Sequence, residues 1–404
     1  MNQKYTYVIS KKEGQIRSFL FDADQKAVEV RVDSEQADLQ TGDLFSARVQ
    51  RIVPSLKAAF IDYAPGRSGY LPLETCEHPF LIHKGGSSSL QQGDELLVQV
   101  KKISPGKKQP SFTARLSIAG NFTVLQSPDL KPGVSQKIDA DARSRWKKTA
   151  EALSNDTYSV LIRTNAEAAE ESEVCREAED LAEKLEKVCR KAMHLPCPSL
   201  LLGGEKRWLT RLRELPIEET EKIRIDDRDL FEEASSYLKN VQPRLIPALS
   251  FYEDPMLPMD KLYSLDRHLG EAMDRKVWLS SGAFLVIEQT EALVSIDVNT
   301  GKAAGPGNRK DREKQFLATN LEAAGEIARQ LRLRNLSGVI MIDFINMKEE
   351  ADRQILLNAF RQKLHGDPVR CSCIEYTKLG LVEMTRMRKE RSLAESFREI
   401  SLHS

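Results

Sequence analysis

The sequence predicts an α/β protein built from several domains, and three observations carry that reading. The chain has 404 residues, and at ~100–200 residues per domain that length gives two to four. Between about residue 40 and residue 115, short period-2 segments alternate with glycine turns, the pattern of a small β-barrel. From about residue 273 onward strands and amphipathic helices alternate, which implies a sheet containing at least one parallel crossover.

Bulk composition narrows the class further. Hydrophobic residues make up 41% and charged residues 30%, as in an ordinary globular protein. Lys+Arg and Asp+Glu both number 60, so only local charge can point to a partner. The opening "MNQKYTYVIS" has no apolar signal core, and no apolar run approaches the ~20 residues that span a bilayer. The expectation is a cytoplasmic protein with no membrane span. Six cysteines in this length are no disulfide framework. The one close pair, Cys371 and Cys373 in "CSC", lacks the spacing and the second pair of a structural zinc site, and reads as reduced thiols.

Taken in order, residues 1–35 hold three strand-like pieces, "YTYVIS", "IRSFLFD" and "AVEVRV". "DLFSARVQRIVPSLKAAFIDY" then supplies period-2 strands with Val53, Ala59, Phe60 and Ile61 as apolar positions, followed by "GRSGYLPL" and "DELLVQVKKI". Together they suggest a barrel of the OB type. Leu96 to Pro128 contains no acid but holds Lys101, Lys102, Lys107, Lys108 and Arg115. Beside Phe60 and Tyr70, this local charge fits a surface that stacks bases and holds phosphates. It fits equally a solvated edge flanking core aromatics. Residues 139–153 read as a helix, and "SVLIRT" as a strand ending in Arg163 and Thr164. A long helix follows, with Val174, Ala178, Leu181, Leu185, Val188 and Ala192 on one stripe and a solvated acidic face opposite. Residues 199–272 are shorter elements with a proline-marked join. "FLVIEQ" and "ALVSIDV" read as a hairpin, 312–334 as a helix, "SGVIMIDFI" as a buried strand, 349–365 as a second helix, and "SCIEYTKLGLVEMTR" as the close of the sheet.

Two apolar strands in that last region end in aspartate, at Asp297 and Asp343. A strand–helix–strand crossover brings both to one carboxyl edge, where ligands of such sheets bind. Two anions so placed repel each other and resist desolvation. A divalent cation offsets that, and magnesium takes one or two carboxylates plus waters and substrate phosphates. Asn299, two residues past Asp297, faces the same way. Phosphodiester hydrolysis suits such a site. The alternative is that each Asp merely caps the segment after it. Other site types find no support: "GPGNRK" is no P-loop, and no GxGxxG turn, HExxH helix or nucleophile elbow occurs.

"EALVSIDVNTGK", "TNLEAAGEIARQLRLRNLSGVIMIDFINM" and "KLGLVEMTR" resemble the ribonuclease E/G family of endoribonucleases. "RIVPSLKAAFIDY" with "SGYLPL" resembles that family's RNA-binding OB-type domain, and "SIAGNFTVL" with "LIRT" its sensor for the RNA 5′ end. The resemblance implies a split RNase H-like domain (1–35 and 213–272), an inserted OB-type RNA-binding barrel (36–118), a 5′-sensor region (119–212), and a DNase I-like catalytic domain (273–404). It implies Asp297 and Asp343 as ligands of one magnesium ion per active site, with Asn299 positioning the metal or the scissile phosphate. It implies Phe60 and Tyr70 as base-stacking residues, with Lys108 and Lys378 as further RNA contacts. Arg163 and Thr164 would hold a 5′-monophosphate, with Val124 packing on the terminal base. The expected reaction cuts single-stranded, AU-rich RNA to 5′-phosphate and 3′-hydroxyl ends, in rRNA processing and mRNA decay.

Departures from the family pattern qualify the expectation. The family's CPxC zinc-link is absent, so zinc is not expected and any homo-oligomer would form without it. No degradosome-type scaffold is evident. "IDFINM" carries Asn346 where an acid is usual, Lys378 stands where Arg is common, and Gln136 and Lys137 replace arginines at the start of the sensor segment. The 303–311 loop is slightly long. The competing reading is a non-catalytic RNA-binding protein of the same fold.

Overall fold

A computed structural model describes residues 4–35, 39–83, 90–103, 109–136, 138–301 and 309–403. Lys107, Lys108, Lys137 and most of the 303–311 loop lie outside the described residues. The protein is mixed α/β. It divides into two compact units: Met1–Gln36, Leu215–Glu233 and Pro247–Ser404 form one, and Ala37–Glu214 with Ala234–Ile246 the other.

In the first unit, a five-stranded sheet is assembled from distant pieces of chain, in the order Leu249–Phe251, Thr220–Ile225, Tyr5–Lys12, Gln15–Phe21, Ala27–Ser34. The three N-terminal strands pair antiparallel, while Tyr5–Lys12 meets Thr220–Ile225 in parallel. Val8, Phe19 and Phe21 are buried with Met259, Leu265 and Leu333. Apolar burial of this kind contributes about 1.5–3 kcal/mol per large side chain. Arg332 reaches this sheet through a largely buried ion pair with Glu29, Nε to Oε1 2.7 Å.

The same unit carries a six-stranded sheet, ordered Lys276–Trp278, Phe284–Gln289, Leu293–Asn299, Gly338–Asp343, Val382–Arg386, Cys371–Tyr376. Among the described residues of this sheet, only Leu293–Asn299 and Gly338–Asp343 run parallel, and the helix Arg309–Leu333 lies between them in the chain. One face packs on that helix and on Glu350–Leu364, burying Leu285, Val294, Ile296, Ile340, Ile342, Ala324, Ile327 and Phe360. Period-2 alternation sends the intervening residues to the opposite face. At the far edge Arg386 is locked by Asp367 (Nε to Oδ2 2.8 Å, Nη2 to Oδ1 3.1 Å), with both side chains almost wholly buried. Cys371 lies within hydrogen-bonding reach of the same Asp367, and burial pushes its thiol up to about 12.

In the second unit, Leu44–Val53, Ala58–Ala64, Arg67–Pro72, Ser111–Thr113 and Glu95–Lys102 pair in that order, and Glu95–Lys102 returns to Leu44–Val53. The result is a closed five-stranded barrel, consistent with the OB type. Phe45, Tyr63 and Phe112 fill it with mutual ring contacts at 4.9–6.2 Å. Gly69 is obligatory there, because a Cβ would lie 2.3 Å from the Phe112 ring. A four-stranded sheet follows, ordered Ser117–Ala119, Thr123–Gln126, Ser159–Ile162, Gly133–Val134. Helices Ala140–Leu153 and Glu171–His194 cover it, burying Trp146, Val174, Ala178, Leu181, Val188 and Ala192. Glu171 and Glu173 open the longer helix while Lys191 and His194 close it, complementing its dipole.

Candidate functional site

The acid pair lies on the open face of the six-stranded sheet. Asp297 and Asp343 are direct register partners on the parallel strands. Both side chains are solvent-exposed, while Ile296 and Ile342, one residue back, are buried on the helix side. Strand pairing therefore fixes the two carboxylates side by side. Partial desolvation, and then the neighbouring Asp297 charge, raise the Asp343 carboxyl above its ordinary value. Asn299 Nδ2 donates to Asp297 Oδ2 at 2.7 Å, which fixes the orientation of that carboxylate.

Two backbone devices hold this edge. Gly301, at φ 54°, turns the chain away just beyond Asn299, and a Cβ there would lie 2.3 Å from the Gly282 carbonyl oxygen. The turn containing Gly282 is itself tied down by Glu322, which accepts from the Ser280 and Ser281 amides at 2.7 and 3.2 Å. After Asp343, the fully buried Asn320 clasps Ile345 twice, donating to its carbonyl at 2.8 Å and accepting from its amide at 3.0 Å. Neither Glu322 nor Asn320 stands out in the sequence, since both read as ordinary helix positions. Lys378 is exposed on the turn before Val382–Arg386, and the pairing of Val382 with Ile342 puts that turn at the same sheet edge as Asp343. Asn346 is exposed just past it.

Two exposed carboxylates at equal height, one of them oriented by an amide, fit a hard cation that keeps most of its coordination for water and phosphate. No cluster of three or more His, Cys, Asp or Glu suited to a metal occurs among the described residues.

On the barrel, Phe60 and Tyr70 are register partners with ring centroids 6.2 Å apart, nearly perpendicular. Both are half-buried and face away from the barrel core that holds Ala59 and Ile61. The Arg51 guanidinium stands 4.4 Å over the Phe60 ring, a neighbour that sequence reading missed. Lys101 and Lys102 are exposed, and Lys108 is outside the described residues. Arg115 does not add free charge, contrary to the sequence reading: it pairs with Asp129 at 2.5 Å and Glu77 at 3.2 Å. Asp129 lies just beyond the acid-free window.

In the four-stranded sheet, Arg163 caps the short helical turn Thr164–Ala168, its amide donating to the Phe122 carbonyl at 2.7 Å. Its guanidinium donates to the Gly120 carbonyl. Burial, and then the Arg213 charge, lower the Arg163 pKa. The Thr164 and Ser135 hydroxyls are 2.9 Å apart. Val124 is half-buried on the adjoining strand, opposite Leu161. The 120–123 turn is held by Glu177, whose carboxylate accepts from the Asn121, Phe122 and Thr123 amides and the Thr123 hydroxyl at 2.7–2.8 Å. The acidic face of that helix is thus not wholly solvated. Arg213 bonds Glu205 at 2.8 Å, and Tyr237 donates to Glu205 at 2.7 Å.

An edge acid pair and a closed barrel with paired surface aromatics fit the class of nucleic-acid-processing enzymes. Comparison with known proteins gives the family. The model of the ribonuclease E/G family matches residues 117–389. Ribonuclease G of Escherichia coli strain K12 is 33% identical over 377 residues, covering 90% of this chain and 76% of that protein. Ribonuclease E of Haemophilus influenzae is 31% identical over 385 residues, covering 93% of this chain and 41% of that longer protein. Ribonuclease E of Escherichia coli strain K12 is 30% identical over 397 residues, with 95% and 37% covered. The chain belongs to the ribonuclease E/G family and is an enzyme of that type.

Proposed function

We propose that the protein is a magnesium-dependent endoribonuclease that cuts single-stranded, AU-rich RNA, favours 5′-monophosphorylated substrates, and acts in rRNA processing and mRNA decay in the cytoplasm. The observation that carries this reading is the in-register apposition of Asp297 and Asp343 on one open sheet face. In the same reading, the five-stranded sheet built from two chain segments is the split RNase H-like domain. The barrel is the RNA-binding insertion, the four-stranded sheet the 5′ sensor, and the six-stranded sheet the DNase I-like catalytic domain, with boundaries near residues 35, 118, 212 and 272.

Asp297 and Asp343 would hold the ion. When bound, it supplies Lewis acidity and neutralises charge developing on phosphate oxygens. Asn299 keeps one carboxylate oxygen of Asp297 oriented through its side-chain amide. Lys378, on the same edge, offers a cation to a flanking phosphate. Water adds to phosphorus, the bond to the 3′ oxygen breaks, and the proton ends on that oxygen, giving 5′-phosphate and 3′-hydroxyl products. Phe60 and Tyr70 would stack bases, and Lys108 would contact the backbone. Arg163 and Thr164 would grip a terminal phosphate, which as a dianion gains more from a charged fork than an internal diester does. Val124 would pack on the first base.

The test is incubation of a 5′-labelled AU-rich single-stranded RNA with and without magnesium, for the protein and for Asp297→Asn. Cutting that needs magnesium and is lost in the variant supports the reading. Tight binding without cutting under every condition replaces it with a non-catalytic RNA-binding protein.

A further inference from the structure

The open face that carries the acid pair also carries a feature that the proposed chemistry does not use. Trp278 is 63% exposed on the edge strand of the six-stranded sheet. It is the register partner of Phe284, which in turn pairs with Asn299. The next row runs Lys276, Val286, Asp297, Asp343. Register partners, and residues two apart on one strand, share a face. Trp278, Phe284, Lys276, Asn299, Asp297 and Asp343 thus lie on one face in two adjacent rows. At ~4.8 Å per strand, Trp278 lies about 10 Å across the sheet from Asn299.

The trio is organised rather than incidental. The Trp278 and Phe284 ring centroids are 5.2 Å apart at 57°. The Lys276 ammonium is 3.9 Å from the Trp278 centroid and 3.6 Å from that of Phe284. No carboxylate among the described residues forms an ion pair with Lys276. A large aromatic left in water beside an unpaired cation is the composition that seats a base and its phosphate. A protein partner would more naturally meet a wider apolar patch with a polar rim.

We propose that Trp278 and Phe284 form a stacking seat for a nucleobase of the RNA strand flanking the scissile phosphate, with Lys276 contacting the adjoining phosphate. This rests on the acid pair being the cleavage site. The occupant is single-stranded RNA, and its base identity is set by stacking rather than by edge readout.

Fluorescence tests the seat separately from cleavage, because Trp146 and Trp208 are buried at 1% and 2% exposure and Trp278 alone of the three tryptophans is open to solvent. A short AU-rich RNA is titrated into the protein in EDTA, with saturation followed by anisotropy of a label on the RNA. The expected result is quenching of tryptophan emission and protection from acrylamide at saturation, both lost in Trp278→Leu. With magnesium, Trp278→Leu raises KM about tenfold with kcat nearly unchanged, and Trp278→Phe restores most of the loss. Unchanged emission at saturating RNA overturns the proposal, as does an unchanged KM in Trp278→Leu. Emission that follows protein concentration without RNA, with dimers in sedimentation, also overturns it and makes the patch a contact between copies. If quenching stands while Asp343→Asn still cuts, the seat survives and the nuclease centre must be placed elsewhere.

Discussion

The acid pair and the Arg163 turn are both sheet-edge sites, yet their polar groups are treated in opposite ways. At Asp297 and Asp343, like charges are set side by side, and among the described residues the one side-chain hydrogen bond to the pair is from Asn299 to Asp297. Around Arg163 opposite partners are brought together: Glu177 accepts from three amides and a hydroxyl, and the guanidinium donates to the Gly120 carbonyl. The first arrangement leaves two adjacent negative charges open to solvent and to a ligand. The second is a hydrogen-bonded turn that holds one guanidinium in place. Residues of the first kind should therefore govern rate, and those of the second stability and selectivity.

The largest expected effect is on rate. Asp297→Asn or Asp343→Asn should lower cleavage by about 10³-fold or more, with RNA affinity by filter binding changed less than about threefold. Retained cutting in both variants would break the comparison on the catalytic side. Next, Glu177→Ala should cost about 2–3 kcal/mol in urea unfolding, since it strips a charged acceptor from several amides at once. A cost near zero would show that the turn holds its own shape. Arg163→Ala should reduce the preference for 5′-monophosphorylated over 5′-hydroxyl RNA by about tenfold, read as a ratio of initial rates. An unchanged ratio removes the sensor reading. Phe60→Ala should weaken binding by about 1–3 kcal/mol without altering kcat.

The smallest effect concerns pH. The Asp343 pKa is raised in the folded protein, so the folded state holds that proton more tightly than the unfolded chain does. The associated stability is present at low pH and is lost as pH rises through the folded pKa. Without metal, Asp343→Asn should then melt slightly higher than the parent protein at pH 7, and the two should converge below the ordinary carboxylate range. Added magnesium should raise the melting temperature of the parent and not that of the variant. Thermal melts across pH, with and without the ion, check both signs.

Much of the acid site was legible because it is written in local pattern. Two apolar strands each ending in Asp, with a helix between, leave one arrangement for a parallel crossover, and Asn299 follows from period-2 geometry. The strand-rich region announced its barrel through turn glycines and alternation. What was not legible depends on long-range partners. Glu177 is chemically indistinguishable in sequence from Glu173 or Glu179, and only the fold brings it to the 120–123 turn. Arg115 looked like free charge because Asp129, its partner, stood just outside the window that was read. Trp278 and Lys276 sit on a three-residue edge strand too short to show a period, so their place beside the acids came only from register.

The apposition of Asp297 and Asp343 has a bearing on ion choice as well. The repeat between paired backbones, about 4.8 Å, sets the spacing of their Cα atoms, and the exposed side chains can turn to bring their oxygens closer. An ion with few protein ligands and a preference for waters and phosphate asks for no more than that, whereas calcium wants six to eight oxygens. Discrimination between the two would then rest on how few oxygens the strands bring to this edge.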